Sequence, residues 1–287
     1  MAKHVLHKSK HTGLLEREEH DYVLKNVKEP ELYRGIFDYD EVPKVVFNDR
    51  KVPMNPADEW WITDTTFRDG QQSSAPLTVK QIVDIYKLMS KLGGKKGLIR
   101  ASEFFLYSEK DKQAVKACMN LGLEFPEITS WIRADEKDFR LVKDMHIKET
   151  GILVSCSDYH IYKKMKLDRK SALEKYIAIV KSALDNGIVP RCHFEDITRA
   201  DFYGFVVSFA YELMQLAEEY KTPVKIRACD TLGYGVTYPG SALPRSVPGI
   251  IYGLNYYAGV PSECTVTTIF TKRSSTLPPR GCTAAAA

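Results

Sequence analysis

A cation, a carboxylate and a glycine stand in a row at Arg68-Asp69-Gly70, inside the string Asp64-Thr65-Thr66-Phe67-Arg68-Asp69-Gly70-Gln71-Gln72 and directly after the apolar run Trp60-Trp61-Ile62. The arginine fork can hold a carboxylate or an enolate oxygen, and the aspartate can ligate a hard or borderline divalent metal. A strand that ends this way in a parallel α/β protein puts these groups where such proteins do their chemistry. Alone, Arg-Asp-Gly would equally suit a strand-to-helix loop with a local ion pair. Further downstream, Ser155, Ser157, Tyr159 and His160 form a second polar group that could orient a substrate or relay a proton, with helix capping an equal role for Ser157. The adjacent carboxylates Glu195 and Asp196 need a cation, a hydrogen-bond network or a proton to coexist.

Such groups need rigid elements to aim them. Strand-like apolar runs cover 60–67, 97–105, 127–133, 151–157, 189–196 and 224–231, at intervals of roughly thirty residues, and a stretch with helical spacing follows each. In the first such stretch Val79, Ile82, Val83, Ile85, Tyr86 and Met89 recur at three and four, Thr78 is placed to cap it and Gly93-Gly94 to stop it. Repeated βα units predict a parallel sheet, either open and doubly wound or closed as an eight-stranded barrel. No Gly-x-Gly-x-x-Gly follows the first strand, which disfavours a dinucleotide-binding sheet and favours a TIM (β/α)8-type barrel. Residues 1–58 show weak periodicity and turn signals at Pro30, Pro43 and Pro53, so they are expected to form an N-terminal extension ahead of a catalytic domain at 59–263.

The chain has 287 residues, 44% apolar and 27% charged, and a formal charge of +4. That charge is too small to argue for nucleic acid. No run approaches the ~18 apolar residues of a membrane span, and Met1-Ala2-Lys3-His4 does not begin a secretory signal; a cytoplasmic protein without a membrane partner is expected. The six cysteines lack a Cys-x-x-Cys pair and read as free core thiols. His4, His7, His11 and His20 fall in a lysine-rich leader that reads as a solvated tail.

The nine-residue string resembles the signature of the metal-dependent barrel family that contains isopropylmalate synthase, homocitrate synthase, hydroxymethylglutaryl-CoA lyase and the biotin-dependent carboxyltransferases. Gly70-Gln71-Gln72 sides with its condensing branch, and Tyr234-Gly235-Val236-Thr237-Tyr238-Pro239-Gly240 with Leu243-Pro244-Arg245-Ser246-Val247-Pro248 is most similar to the Re-type citrate synthases. The likeness covers 60–263. It implies an acyltransferase that condenses acetyl-CoA with a 2-oxo acid, oxaloacetate first, with homocitrate or isopropylmalate synthesis as the alternative. A divalent metal (Mn, Mg, Co or Zn) on Asp69 would polarise the oxo-acid carbonyl, and family members are usually homodimers. Arg68 would be catalytic, as would Glu195, which stands in Glu195-Asp196 with Arg199 and Asp201 as in the family's acidic motif; Asp196 and Arg199 would be structural. Gln72, Glu103, Arg133 (from the family's His-Ile-Arg), Ser157, His160 and Thr231 (from Ala228-Cys229-Asp230-Thr231-Leu232-Gly233) would face substrate.

After the sixth unit the family carries His-x-His-Asn-Asp, whose imidazoles complete the metal site, whereas no histidine follows His193 here. Joining the third base of each codon from Cys264 onward to the first two of the next permits His-Gly-His-Asn-Asp-Phe-His-Lys-Ala-Leu-Ile-Asn. Loss of one base from a Trp codon at position 264 gives this result. Residues 264–287 are therefore expected to be out-of-frame product, the barrel to be truncated after about six βα units, and the chain to have poor solubility and little activity for want of metal ligands; a non-catalytic barrel fragment is the alternative of another class.

Overall fold

The computed structural model describes residues 61–72, 75–237 and 241–260 continuously, the backbone of 265–269, and short stretches before residue 60. The leader histidines, Trp60, 238–240, Cys264, Cys282 and 270–287 lie outside the described side chains. Two compact units are present, residues 1–41 and residues 42–287. In the first, His7–Lys8 pairs antiparallel with Leu15–Glu16.

The second unit is a (β/α) barrel that stands open. The described strands of its parallel sheet are β1 (Ile62–Asp64), β2 (Ile99–Phe104), β3 (Glu127–Arg133), β4 (Glu149–Ser155), β5 (Val189–Glu195), β6 (Lys225–Asp230) and β7 (Thr265–Ile269). They lie side by side in chain order and each described pair is parallel. Helices α1 (Val79–Gly93), α2 (Glu109–Met119), α3 (Glu136–Asp144), α4 (Arg169–Asp185), α5 (Val207–Tyr220) and α6 (Val247–Ala258) occupy the connections that parallel strands require. Among the described residues no helix is long and apolar enough to cross a membrane.

Local chemistry accounts for the elements. Thr78 accepts from the Gln81 N–H and Gln81 returns a bond to Thr78, a capping box contributing about 1 kcal/mol, while Gly94 at φ 63° ends α1 in a conformation that a Cβ disfavours. Ile82 and Tyr86 put the apolar stripe of α1 into the core. On β4 to β6, alternate residues Ile152, Val154, Cys192, Phe194, Ile226 and Ala228 join the apolar core with the helices, and Phe194 stacks on Phe209 of α5 at 4.9 Å. The intervening residues include Glu149, Arg191, His193 and Arg227, all buried. The interior face of this barrel is therefore ionic where many barrels are aliphatic. A hairpin of Lys44–Phe47 and Arg50–Pro53 belongs to the same unit, with Phe47 packed against Tyr252 and Tyr257 of α6 at 4.7 and 5.8 Å.

Two sequence expectations shift in register. The fourth strand begins at Glu149, ahead of the expected Gly151, because the polar pair Glu149-Thr150 is buried and bonded inside the sheet. Helix formation after it starts with a π-helical turn, Tyr159–Lys164, which carries His160.

Candidate active site

The turn after β1 is fixed by its own polar residues before any ligand is considered. Asp64 accepts from Thr66 Oγ1 at 2.6 Å and Ser102 Oγ at 2.7 Å, and Gln71 Nε2 donates to the Phe67 carbonyl at 2.8 Å. Phe67 is buried against Phe104, centroid to centroid 4.8 Å, and anchors the residue that follows it. That residue is Arg68. Its Nε donates to Glu103 Oε2 at 2.5 Å, its Nη1 to Asp69 Oδ1 at 2.7 Å, and its guanidinium carbon lies 5.2 Å from the Trp131 ring. The sequence-predicted trio Arg68, Asp69 and Glu103 is thus brought together from β1 and β2.

Glu103 is fully buried, and three further cationic or imidazole groups converge on it. Arg191 Nη2 reaches Oε1 at 2.6 Å, Arg227 Nη1 reaches it at 3.0 Å, and His193 Nε2 lies 3.4 Å away. Burial raises the Glu103 pKa, but the charges of Arg227 and Arg191, with a hydrogen bond from His193, outweigh it and hold the carboxyl well below its usual range. His193 is pushed down to about 3, chiefly by burial, and is neutral. Arg191 also donates Nη1 to Glu149 at 2.5 Å, and Lys225 Nζ meets the other Glu149 oxygen at 2.5 Å. Burial raises the Asp69 carboxyl against the pull of Arg68.

A second group forms where β4 and β5 end. Glu195 Oε2 accepts from Ser155 Oγ and lies 2.8 Å from His160 Nδ1, while Lys164 Nζ is 3.6 Å from Oε1. Asp196, fully buried and left-handed at φ 62°, takes Arg199 through Nε and Nη2 at 2.9 and 2.6 Å and Ser157 Oγ at 2.5 Å. Ser157 also accepts the His160 N–H at 3.4 Å. The hydroxyl of Thr231 accepts the Asp196 N–H at 2.9 Å. Ser157, Asp196 and Thr231 therefore form a scaffold under the His160–Glu195 pair. The thiol of Cys229, whose hydrogen bond goes to the Arg227 carbonyl, is pushed up to about 12 by burial.

Two predicted site residues stand apart. Arg133 gives Nε and Nη2 to Asp138 at 2.7 and 3.0 Å and has no hydrogen bond or ion pair to the Arg68 cluster among the described residues. Gln72 is exposed on the loop. Conversely, Arg227 and the pairing role of Arg191 carried no motif. Their signal was alternation of charged with apolar residues inside strands, Arg191, His193 and Glu195 against Cys192 and Phe194, and Lys225 and Arg227 against Ile226 and Ala228.

Asp69 is the one residue expected to ligate a metal from the sequence, and no group of three His, Cys, Asp or Glu side chains able to hold a metal ion occurs among the described residues. These residues alone do not fit a divalent metal site.

The HMGL-like family model matches residues 60–242. The chain is 58% identical over 244 residues to the citrate (Re)-synthase of Clostridium kluyveri, covering 85% of this chain and 54% of that protein. It is 58% identical over 242 residues to that of Syntrophus aciditrophicus, covering 84% and 38%. The chain thus spans about half the length of the first of these curated relatives, and less of the second. In fold it is similar to the HMG-CoA lyase of Brucella melitensis, with a TM-score of 0.53 at 14% identity, covering 74% of this chain and 72% of that one.

Proposed function

Since this chain belongs to the HMGL-like family, we propose that it is the condensing part of an acyltransferase that joins acetyl-CoA to a 2-oxo acid, with oxaloacetate as acceptor and citrate as product. The observation that carries the reading is Arg68 held between Asp69 and Glu103 at the end of β1, with the His160–Glu195 pair at the ends of β4 and β5. The identity to two citrate (Re)-synthases supports oxaloacetate over other acceptors.

The residues divide the work. Glu195, fixed by Ser155 and His160, takes a proton from the acetyl methyl group. Arg68 receives the negative charge that gathers on oxygen as the methyl carbon bonds to the keto carbon, in a setting already paired and buried so that little reorganisation is needed. Hydrolysis of the resulting thioester releases CoA.

Asp69 alone does not hold a divalent metal. We propose further that residues 264–287 are out of frame and that the intact frame returns two histidines beside Asp69. Two measurements test these readings. Product analysis with acetyl-CoA and oxaloacetate, 2-oxoglutarate or 2-oxoisovalerate, on a frame-restored chain, should give citrate as the main product; homocitrate or isopropylmalate in its place would move the assignment. Calorimetric metal titration should show about one divalent ion per frame-restored chain and none on the chain as written; equal uptake, or DNA that encodes Cys264 onward without a lost base, defeats the frame proposal.

A further inference from the structure

Arg227 lies in the middle of β6, 2% exposed, and uses only part of its guanidinium. Nη1 donates to Glu103, whereas Nε and Nη2, the parallel two-donor edge, are buried and have no hydrogen-bond partner among the described residues. Elsewhere in this chain that edge grips a carboxylate: Arg133 places Nε and Nη2 on the two oxygens of Asp138, and Arg169 places them on the two oxygens of Asp158 at 2.9 and 2.7 Å. Buried donors are normally satisfied, and this edge matches a carboxylate in shape as well as charge.

The charge balance asks for the same thing. Among the described residues Arg68, Arg191, Lys225 and Arg227 are joined to Asp69, Glu103 and Glu149 in one connected network of four cations and three carboxylates, an excess of one positive charge. His193 beside them is neutral. The acidic side chains of this network, and Glu195 beyond it, already have partners. Arg227 is one carboxylate away from Arg68, through Glu103, and the side chains of Arg68 and Asp69 are 11% and 30% exposed.

We propose that the Nε/Nη2 edge of Arg227 is a carboxylate receptor that takes the distal carboxylate of a dicarboxylic 2-oxo acid. The inference rests on the condensation reading and adds to it the residue that separates oxaloacetate from monocarboxylic acceptors.

Calorimetric titration of the full chain with oxaloacetate and with pyruvate tests it without requiring turnover. The unaltered chain should bind oxaloacetate about ten-fold more tightly than pyruvate. Arg227→Gln should bring that ratio close to one while leaving pyruvate affinity in place. Should Arg227→Gln fail to melt cooperatively, Arg227→Lys, which keeps the charge and loses the fork, decides, with an expected ratio of about three or less. Equal binding of the two acids by the unaltered chain overturns the proposal, as does a ratio that survives in the variants. A lower melting temperature for Arg227→Gln with no ligand preference in the unaltered chain would assign the fork to a protein carboxylate and also overturn it. Preference for oxaloacetate without citrate formation in the product assay would defeat the condensation reading while leaving the receptor standing.

Discussion

Glu103 shows how a buried ion is tolerated. Its carboxylate is 0% exposed, and removing it would leave Arg68, Arg191 and Arg227 around an empty centre, which costs more than any single pair contributes. Neutral His193 belongs to the same balance. Burial outweighs the pull of Glu103, with Arg227 and Arg191 pushing the same way, and takes its pKa from 6.5 to about 3. Between those values the unfolded chain binds a proton that the folded chain refuses, so this residue lowers stability as pH falls through that window and has no effect above it. The slope is at most about 1.4 kcal/mol per pH unit. Glu103, with its pKa depressed, adds a loss in the same direction below pH 4.5, as pH falls toward its folded value. His193→Gln is expected to flatten the change in urea-unfolding free energy between pH 6.5 and pH 5. A slope equal to that of the unaltered chain would mean that the imidazole is protonated in the folded state.

At the scale of elements, the close approach of β4 and β5 depends on a missing side chain. A Cβ on Gly151 would stand 2.7 Å from His193 Nε2 and 3.1 Å from Trp131, so His193 could not keep its place beside Glu103. Gly151→Ala should destabilise the fold by about 1 to 3 kcal/mol in urea titration and weaken the Arg68 site with it; unchanged stability would show that the imidazole has room to retreat. This scale also explains what the sequence displayed. Strand positions were legible because each outward face is apolar, as at Ile152 and Val154 or Cys192 and Phe194. The Arg68-Asp69-Gly70 turn was legible because its residues are contiguous. The start of β4 and the pairing role of Arg227 were not, since a buried charge facing a barrel interior is explained only once its partner, 42 or 124 positions away, is known. Arg133 read as a site residue from its motif, while its position was decided by Asp138, five residues on in α3.

On the scale of the whole molecule, the described sheet has two edges. Strand β1 pairs only with β2, and β7 only with β6. Ile62 on β1 is 42% exposed next to exposed Trp61, a combination that templates pairing with another chain. Ile62→Lys should reduce concentration-dependent association in light scattering without changing the far-ultraviolet dichroism. Association equal to that of the unaltered chain would place the sticky surface elsewhere.

The spokes around Glu103 reach 35, 88 and 124 residues along the chain, to Arg68, Arg191 and Arg227. During synthesis, the strand bearing this acid leaves the ribosome well before two of the bases that neutralise it. The charges that balance this buried acid are therefore all present only once β6 has emerged, so the amino-terminal half of the barrel made alone lacks two of the three arginines at its centre.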